Sequence, residues 1–130
     1  MPIQKQISVF VPNRPGSLAR LCYTLADANI NICAMTLHDT TDNTLVRCIV
    51  DNPMKAILLL EKEDYYVSEQ DVVVVDISTE KGALMRISQS LAEADINIYY
   101  LYCTSTKNQE GGCVVIMCDN ADRALEIISK

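Results

Sequence analysis

The sequence repeats itself at a spacing of 66 residues, and this repeat constrains the fold more than any other feature. Gly16 matches Gly82 at this spacing. Other pairs at the same spacing are Leu18 and Leu84, Arg20 and Arg86, Leu25 and Leu91, and Ile30-Asn31-Ile32 and Ile96-Asn97-Ile98. Further along the spacing becomes 68, which places a two-residue insertion near 108–112, where a hairpin turn tolerates it. We therefore expect two similar units in this chain of 130 residues, over residues 1–70 and 71–130.

Each copy carries the periodicities of the same order of elements. Ile7, Val9 and Val11 alternate as in a strand, and apolar residues from Leu18 to Leu25 form one helical stripe. Asn52 followed by Pro53 is typical of a helix start. The order strand–helix–strand–strand–helix–strand predicts an α+β fold of two ferredoxin-like βαββαβ units, with helices on one face of an antiparallel sheet. The predicted strands are 7–11, 30–38, 44–50, 65–69, 72–77, 97–104 and 111–118, and the predicted helices are 18–25, 53–62, 82–94 and 120–129.

The strand at 72–77 raises two expectations about what covers it. Val72 to Val75 are apolar on both faces, so part of the face away from the helices is expected to be covered by the other repeat or by a second chain, with a homodimer as the favoured cover. This strand is also expected to lack the fourth-strand neighbour of a ferredoxin-like sheet. We predict that its edge is covered by the strand at 65–69, by a second chain, or by a tail.

Composition excludes several classes of function. The net charge is −6 and the pI about 4.6, which disfavours nucleic acid and anionic membranes as partners. No apolar run reaches the length of a membrane span and the first residues lack a signal peptide, so a cytoplasmic protein is expected. The six cysteines form no C-x-x-C pair, and His38 is the single histidine. The cysteines are therefore interpreted as small buried hydrophobes, and no metal, cofactor or catalytic residue is predicted.

The turn Asn13-Arg14-Pro15-Gly16-Ser17-Leu18 has the chemistry to hold a free amino acid. A helix N-terminus offers unpaired N–H groups to a carboxylate, and a glycine allows close approach. The amide of Asn13 can accept from an ammonium group and donate to a carboxylate. The alternative is that these residue types merely suit a strand-to-helix turn, and that Asn31 and Asn97 satisfy backbone groups where strands begin. Arg20 and Arg86 lie off the apolar stripe and are interpreted as solvated helix residues.

Both copies resemble the ACT domain, a small ligand-sensing module of many enzymes of amino-acid metabolism. The resemblance rests on the strand followed by N-x-P-G-x-L at Asn13 and on the N-I-N-I segment that ends at Ile32. The first repeat is similar to the serine-sensing ACT domain of phosphoglycerate dehydrogenase. This similarity implies that Asn13 and Asn31 occupy positions that hold an effector amino acid. In the second repeat Thr79 replaces the turn asparagine and Lys81 the proline, whereas Asn97 is retained.

The resemblance implies a non-enzymatic regulatory protein that binds a free amino acid and acts on a partner, such as an enzyme of amino-acid metabolism. The alternative is a dimerisation or docking module without a small ligand. Within one repeat, Asn13 and Asn31 are expected at opposite ends of the sheet, roughly 15–17 Å apart. If the repeats pack side by side as a pseudo-dimer, Asn13 faces Asn97. The predicted site is thus Asn13, the backbone of residues 14–18 and Asn97, with a weaker site at Thr79 and Asn31.

Overall fold

The structure is a computed structural model that describes residues 2–77, 80–104 and 112–129. Within these ranges the strands are β1 (Ile3–Pro12), β2 (Ile32–Asp39), β3 (Asn43–Val50), β4 (Tyr66–Ile77), β5 (Ile98–Cys103) and β6 (Gly112–Cys118). The helices are α1 (Ser17–Asp27), α2 (Pro53–Lys62), α3 (Ala83–Glu93) and α4 (Ala121–Ile128). The chain divides into two compact units, a first unit of Lys5–Gln70 and a second unit of Met1–Gln4 with Asp71–Lys130. The predicted α+β class with two ferredoxin-like units is confirmed, and the expected insertion near 108–112 lies almost wholly outside the described residues.

The first unit has the strand order β2-β3-β1-β4, with β3 antiparallel to both β1 and β2. The alternation read in the sequence holds, since Ile7, Val9 and Val11 are buried on the helix side of β1. Helices α1 and α2 cover this side and bury Leu21, Leu25, Ala56 and Leu60. The apolar stripe therefore forms a single core between the helices and the sheet.

A polar contact holds β4 beside β1 on the other face of this sheet. The side-chain oxygen of Gln70 accepts hydrogen bonds from Gln6 Nε2 at 2.9 Å and from Ser8 Oγ at 2.8 Å. Gln6 and Ser8 are both buried, so the loss of Gln70 would remove a hydrogen-bond acceptor shared by two buried side chains. Toward the end of β1, the rings of Phe10 and Tyr66 meet edge to face with centroids 5.7 Å apart. These pairs set β4 antiparallel to β1, and the start of β4 lies beside the end of β1.

The second helix of each unit begins at an asparagine cap. The side chain of Asn52 accepts a hydrogen bond from the backbone N–H of Lys55 at 3.2 Å, and Pro53 occupies the first turn of α2. Asn120 caps α4 in the same way through the N–H of Arg123 at 3.0 Å. These asparagines satisfy N–H groups that a helix start leaves unpaired. The predicted helix start at Asn52 is thus confirmed.

The second unit has the strand order β1-β4-β6-β5 and uses the first residues of the chain. The backbone N–H of Val74 donates to the carbonyl oxygen of Pro2 at 2.6 Å. The expected covers of this edge are therefore wrong, because residues 2–4 supply the neighbouring strand. The strand predicted at 65–69 cannot serve, since it continues without a break into residues 72–77 as the 12-residue strand β4. No glycine or proline interrupts that run.

The core of the second unit lies between its sheet and helices α3 and α4. Buried residues on this side include Val73, Leu91, Ile116 and Ala124. Val72 and Val115 alternate with core residues in β4 and β6, so they point to the opposite face, yet both are buried. The expectation that part of this face is covered therefore holds for these two residues, whereas the homodimer favoured as the cover stays a prediction.

Candidate functional site

The turn after β1 leads into α1 through a left-handed glycine. Gly16 has a φ of 90° and occupies the N-cap position, where no described side chain caps the helix. The backbone N–H of Ser17 donates to the carbonyl oxygen of Arg14 at 3.3 Å, and that of Arg20 to Gly16 at 3.0 Å. A Cβ atom at Gly16 would meet nothing within 4 Å. The first turn of α1 is thus open to a ligand that approaches the glycine.

A cavity of about 400 Å³ lies at this turn, wholly within the first unit. The antiparallel pairing of β1 and β4 brings the turn between α2 and β4 beside the end of β1, and both turns form its wall. Its volume falls within the range of small-molecule sites. The lining residues are Phe10, Val11, Pro12, Arg14, Pro15, Gly16, Ser17, Arg20, Glu63, Asp64 and Tyr65.

The cavity wall carries charges of both signs. Arg14 and Arg20 come from the β1–α1 side, and neither forms an ion pair with another described residue. Glu63 and Asp64 come from the turn before β4, where Asp64 adopts a φ of 66°. Together with the N-terminal end of α1, the two arginines attract an anionic group. The two carboxylates attract a cationic group, so the wall can receive both ends of a zwitterion.

Comparison with protein-family models decides the family. The model described as an ACT domain pair matches residues 1–130. The chain belongs to this family. Among solved structures, a protein from Bacteroides thetaiotaomicron is similar to this ACT domain pair at 30% sequence identity and a TM-score of 0.91, over 98% of this chain and 88% of that chain. No curated protein matches the sequence.

Two regulatory subunits of aspartate kinase share the fold of this ACT domain pair. The ligand-free subunit from Thermus thermophilus has 19% identity and a TM-score of 0.72, over 96% of this chain and 90% of that chain. The subunit from Thermus flavus has 18% identity and a TM-score of 0.68, over 99% of this chain and 95% of that chain. At these identities the likeness establishes the fold alone.

The structure places the predicted site residues of the first ACT repeat at two ends of the sheet. Four of them line the cavity, namely Arg14, Pro15, Gly16 and Ser17. Leu18 packs against the core instead. The side-chain amide of Asn13 donates to Asp39 Oδ1 at 2.8 Å, at the far end of β2. Asn31 precedes β2, and its N–H donates to Asp51 Oδ1 at 3.0 Å.

Asn13 and Asn31 are therefore at opposite ends of the first unit, as the sequence led us to expect. Strand β3 runs from Asn43, paired with Pro12, to Val50, paired with Ile32. The two ends of β3 are about seven residue steps of 3.3 Å apart, or roughly 23 Å. This separation of Asn13 from Asn31 exceeds the expected value of roughly 15–17 Å, because the strand is longer than the about five residues assumed from the sequence. One amino acid cannot touch both side chains.

In the second ACT repeat, Asn97 repeats the bonding of Asn31. Its N–H donates to Asp119 Oδ1 at 3.2 Å. Thr79 lies outside the described residues. The pairing of Asn13 with Asn97 across the two repeats stays a prediction.

A second cavity of about 390 Å³ lies at the equivalent place in the second unit, and its surroundings differ. Arg86 Nη2 lies 3.3 Å from Glu80 Oε2 in an ion pair. Gly82 has a φ of 84°, like Gly16, but a Cβ atom there would meet Arg86 Nη1 at 3.5 Å and Met85 Cε at 3.7 Å. The lining residues of this cavity are Asp76, Ile77, Ala83, Arg86, Ile87, Ser90, Ile127 and Ile128.

Sequence reasoning missed several residues of the first cavity. Arg20 was expected to be a solvated helix residue; it is exposed, but it also lines the cavity. No sequence motif marks Glu63, Asp64 and Tyr65 as site residues, because only the pairing of β1 with β4 brings them to the cavity. The recurrence of arginine at Arg20 and Arg86 was the one signal in the sequence.

The cysteines only partly follow the interpretation as buried hydrophobes. Cys48 and Cys118 are buried, whereas Cys33 and Cys103 are exposed. Burial, with a smaller contribution from the neighbouring Cys22, raises the pKa of the Cys48 thiol to about 12. Burial, with a smaller contribution from the Asp119 charge, also raises the pKa of Cys118, although a hydrogen bond from the Asn120 backbone lowers it. Cys48 is thus an inert thiol at neutral pH.

The described residues contain neither a cluster of metal-ligating side chains nor a membrane-spanning helix. No group of three or more histidine, cysteine or acidic side chains there is placed to hold a metal ion. None of the helices there is long and apolar enough to cross a membrane.

Proposed function

We propose that this ACT domain pair is a regulatory protein that binds a free amino acid in the cavity of its first repeat. The observation that carries the proposal is the coexistence of two arginines and two carboxylates around an open glycine turn at a helix start. A zwitterion needs both charges within a short distance, and the cavity offers both. Family membership over the whole chain supports the same reading.

The lining residues divide into three groups that correspond to the parts of an amino acid. The N–H groups of the first turn of α1 and the Arg20 guanidinium receive the α-carboxylate. Glu63 and Asp64 receive the α-ammonium group. The apolar residues Phe10, Pro12 and Pro15 are left to contact the side chain. An amino acid has few heavy atoms, so a Kd of roughly micromolar to millimolar is expected.

The regulatory output is proposed to pass by contact to an enzyme of amino-acid metabolism in the cytoplasm, with no catalysis by this chain. The two structural relatives described as regulatory subunits of aspartate kinase support an enzyme partner of this class. The charge and fold of the chain support neither nucleic acid nor a membrane as partner. A homodimer is part of the proposal, since twofold dimers are the commonest soluble homo-oligomers.

A second candidate function is a docking module without a small ligand. Large apolar side chains on the helices of the first unit favour it. Tyr23 of α1 is 70% exposed, and Met54 and Leu58 of α2 are 73% and 65% exposed. Met54 and Leu58 are four residues apart, so they share one face of α2. Exposed apolar groups of this kind are typical of protein contacts.

A thermal-shift screen of the full chain against the twenty free amino acids separates the two functions. Amino-acid binding predicts a higher melting temperature with one or a few amino acids at millimolar concentration. Glu63→Gln should weaken that shift because it removes a carboxylate from the cavity wall. Glu61→Gln is the matched control, since Glu61 is exposed and does not line the cavity. If no amino acid shifts the melting temperature, the docking module is the better reading.

A further inference from the structure

The two strand-to-helix turns differ in what lies over their glycines. Gly16 and Gly82 share the left-handed conformation and the N-cap position. The space over Gly16 is open to 4 Å, whereas the Arg86 guanidinium and the end of the Met85 side chain lie over Gly82. A ligand that must reach the first turn of the helix therefore meets open backbone in the first repeat and side chains in the second.

The charges at equivalent positions explain why Arg86 lies there. Residue 14 is an arginine in the first repeat, and its equivalent 66 positions later is Glu80. Glu80 Oε2 lies 3.3 Å from Arg86 Nη2. In the first repeat the position equivalent to Glu80 is Arg14, which cannot form an ion pair with Arg20. The carboxylate that a ligand would bring to the helix start is already supplied by the protein in the second repeat. A second carboxylate would meet the charge of Glu80.

The apolar part of the cover is also specific to the second repeat. Met85 is equivalent to Ala19, and alanine is too short to reach over the glycine. Because the ion pair is exposed, with side-chain exposures of 54% and 77%, its own stabilisation is small. The ion pair alone is too weak to hold Arg86 over Gly82. We therefore expect the cover over Gly82 to need both the charge of Glu80 and the bulk of the Met85 side chain.

We infer that Glu80, Met85 and Arg86 close the turn around Gly82 to amino acids. The chain then binds one molecule of amino acid, and it binds this molecule in the first repeat. This inference rests on the proposed function. It assigns to Arg20 and Arg86, which are equivalent in sequence, opposite roles: Arg20 receives a ligand carboxylate, and Arg86 is neutralised by Glu80.

Isothermal titration of the full chain, with each of the twenty free amino acids in turn, tests the inference. The wild-type chain should bind one molecule per chain. Arg20→Ala should lower the affinity at least tenfold, whereas Arg86→Ala should change it by less than twofold. The double variant Glu80→Arg with Met85→Ala removes the ion pair and the methionine from the second turn, although Thr79, Lys81 and Ala83 still differ from the first turn. A second binding event should then appear, weaker than the first, because Asp76 is the one carboxylate among the described lining residues of the second cavity. Circular dichroism establishes that each variant is folded.

The outcomes separate this inference from the proposed function. If the wild-type chain binds none of the twenty amino acids, the proposed function fails and the inference fails with it. Two molecules per wild-type chain, or a tenfold loss with Arg86→Ala, would overturn the inference alone. A stoichiometry that stays at one in the double variant would show that Glu80 and Met85 are not what closes the second turn. Arg86 is exposed on α3, so its replacement is not expected to prevent folding.

Discussion

The side-chain amide of Asn13 donates to the Asp39 carboxylate at 2.8 Å, which ties the β1–α1 turn to the end of β2. The backbone N–H of Asn13 also donates to the carbonyl oxygen of Asp42 at 3.3 Å. The turn is therefore held from outside the cavity, on the side of the β2–β3 hairpin. The side-chain amide oxygen of Asn13 stays available for other partners, because the bond to Asp39 uses only the amide nitrogen.

We predict that Asn13→Asp lowers the free energy of unfolding by about 1 kcal/mol, because it replaces a hydrogen bond with two facing carboxylates. Asp39→Asn in the same chain should restore most of the loss, since one side chain again donates to the other. Urea unfolding of the two single variants and the double variant measures the coupling. Additive losses would show that the two side chains do not interact in solution.

Asparagine substitutions test the pairing that was predicted from the sequence. If Asn13 and Asn97 hold the same ligand, Asn13→Ala and Asn97→Ala should each weaken its binding, with coupling between them in a double-mutant cycle. Asn31→Ala is the matched control, because it removes the equivalent amide from the first repeat. Calorimetric titration of the four chains gives the coupling free energy. Unchanged binding in Asn97→Ala, with loss of binding in Asn31→Ala, would contradict the pairing.

The sequence predicts those features that depend on local chemistry. The cap at Asn52 and the apolar stripe of α1 follow from neighbouring residues, and the structure has both. It does not predict features that depend on distant strand pairing. The cavity needs Glu63 and Asp64 beside Arg20, and this requires the register of β1 against β4. The alternation of apolar and polar residues cannot supply that register, because the same alternation in each strand is compatible with several neighbouring strands and several registers.

The N-terminal residues are predicted to protect β4 from amide exchange. Deletion of residues 2–4 should remove the acceptor of the Val74 N–H and expose an unpaired strand edge. Hydrogen exchange at Val74 should then become faster by at least tenfold, and the melting temperature should fall. Pro2→Ala is the control, because it retains the backbone carbonyl, and it should leave exchange unchanged. Equal protection in the deleted chain would show that another segment pairs with this edge.

The buried thiol of Cys48 makes stability depend on alkaline pH. Its pKa is raised from 9.0 to about 12 by burial and by the neighbouring Cys22. The folded state therefore retains a proton that the unfolded state loses above about pH 9. Stability is full below that pH and falls as the pH rises toward 12, by about 1.4 kcal/mol per pH unit for this group.

Urea unfolding at pH 8.0 and pH 10.5 should show a loss of about 2 kcal/mol from Cys48. Cys48→Ala should be less stable at pH 8.0 but should lack this part of the pH dependence. Cys33→Ser is the control, because Cys33 is exposed and should not contribute. A fall of the same size in Cys48→Ala would assign the pH dependence to other groups.

The pairing of Pro2 with Val74 also sets an order of events during synthesis. The first unit occupies one continuous stretch, residues 5–70, so its strand segments are made one after another without interruption. The second unit takes strand residues from both sides of that stretch, and residues 2–4 are made long before residues 72–77 exist to receive them. Contacts between residues so distant in sequence form slowly. We therefore expect the first repeat to fold while the chain is still growing, and residues 2–4 to pair with β4 only after the first repeat has folded.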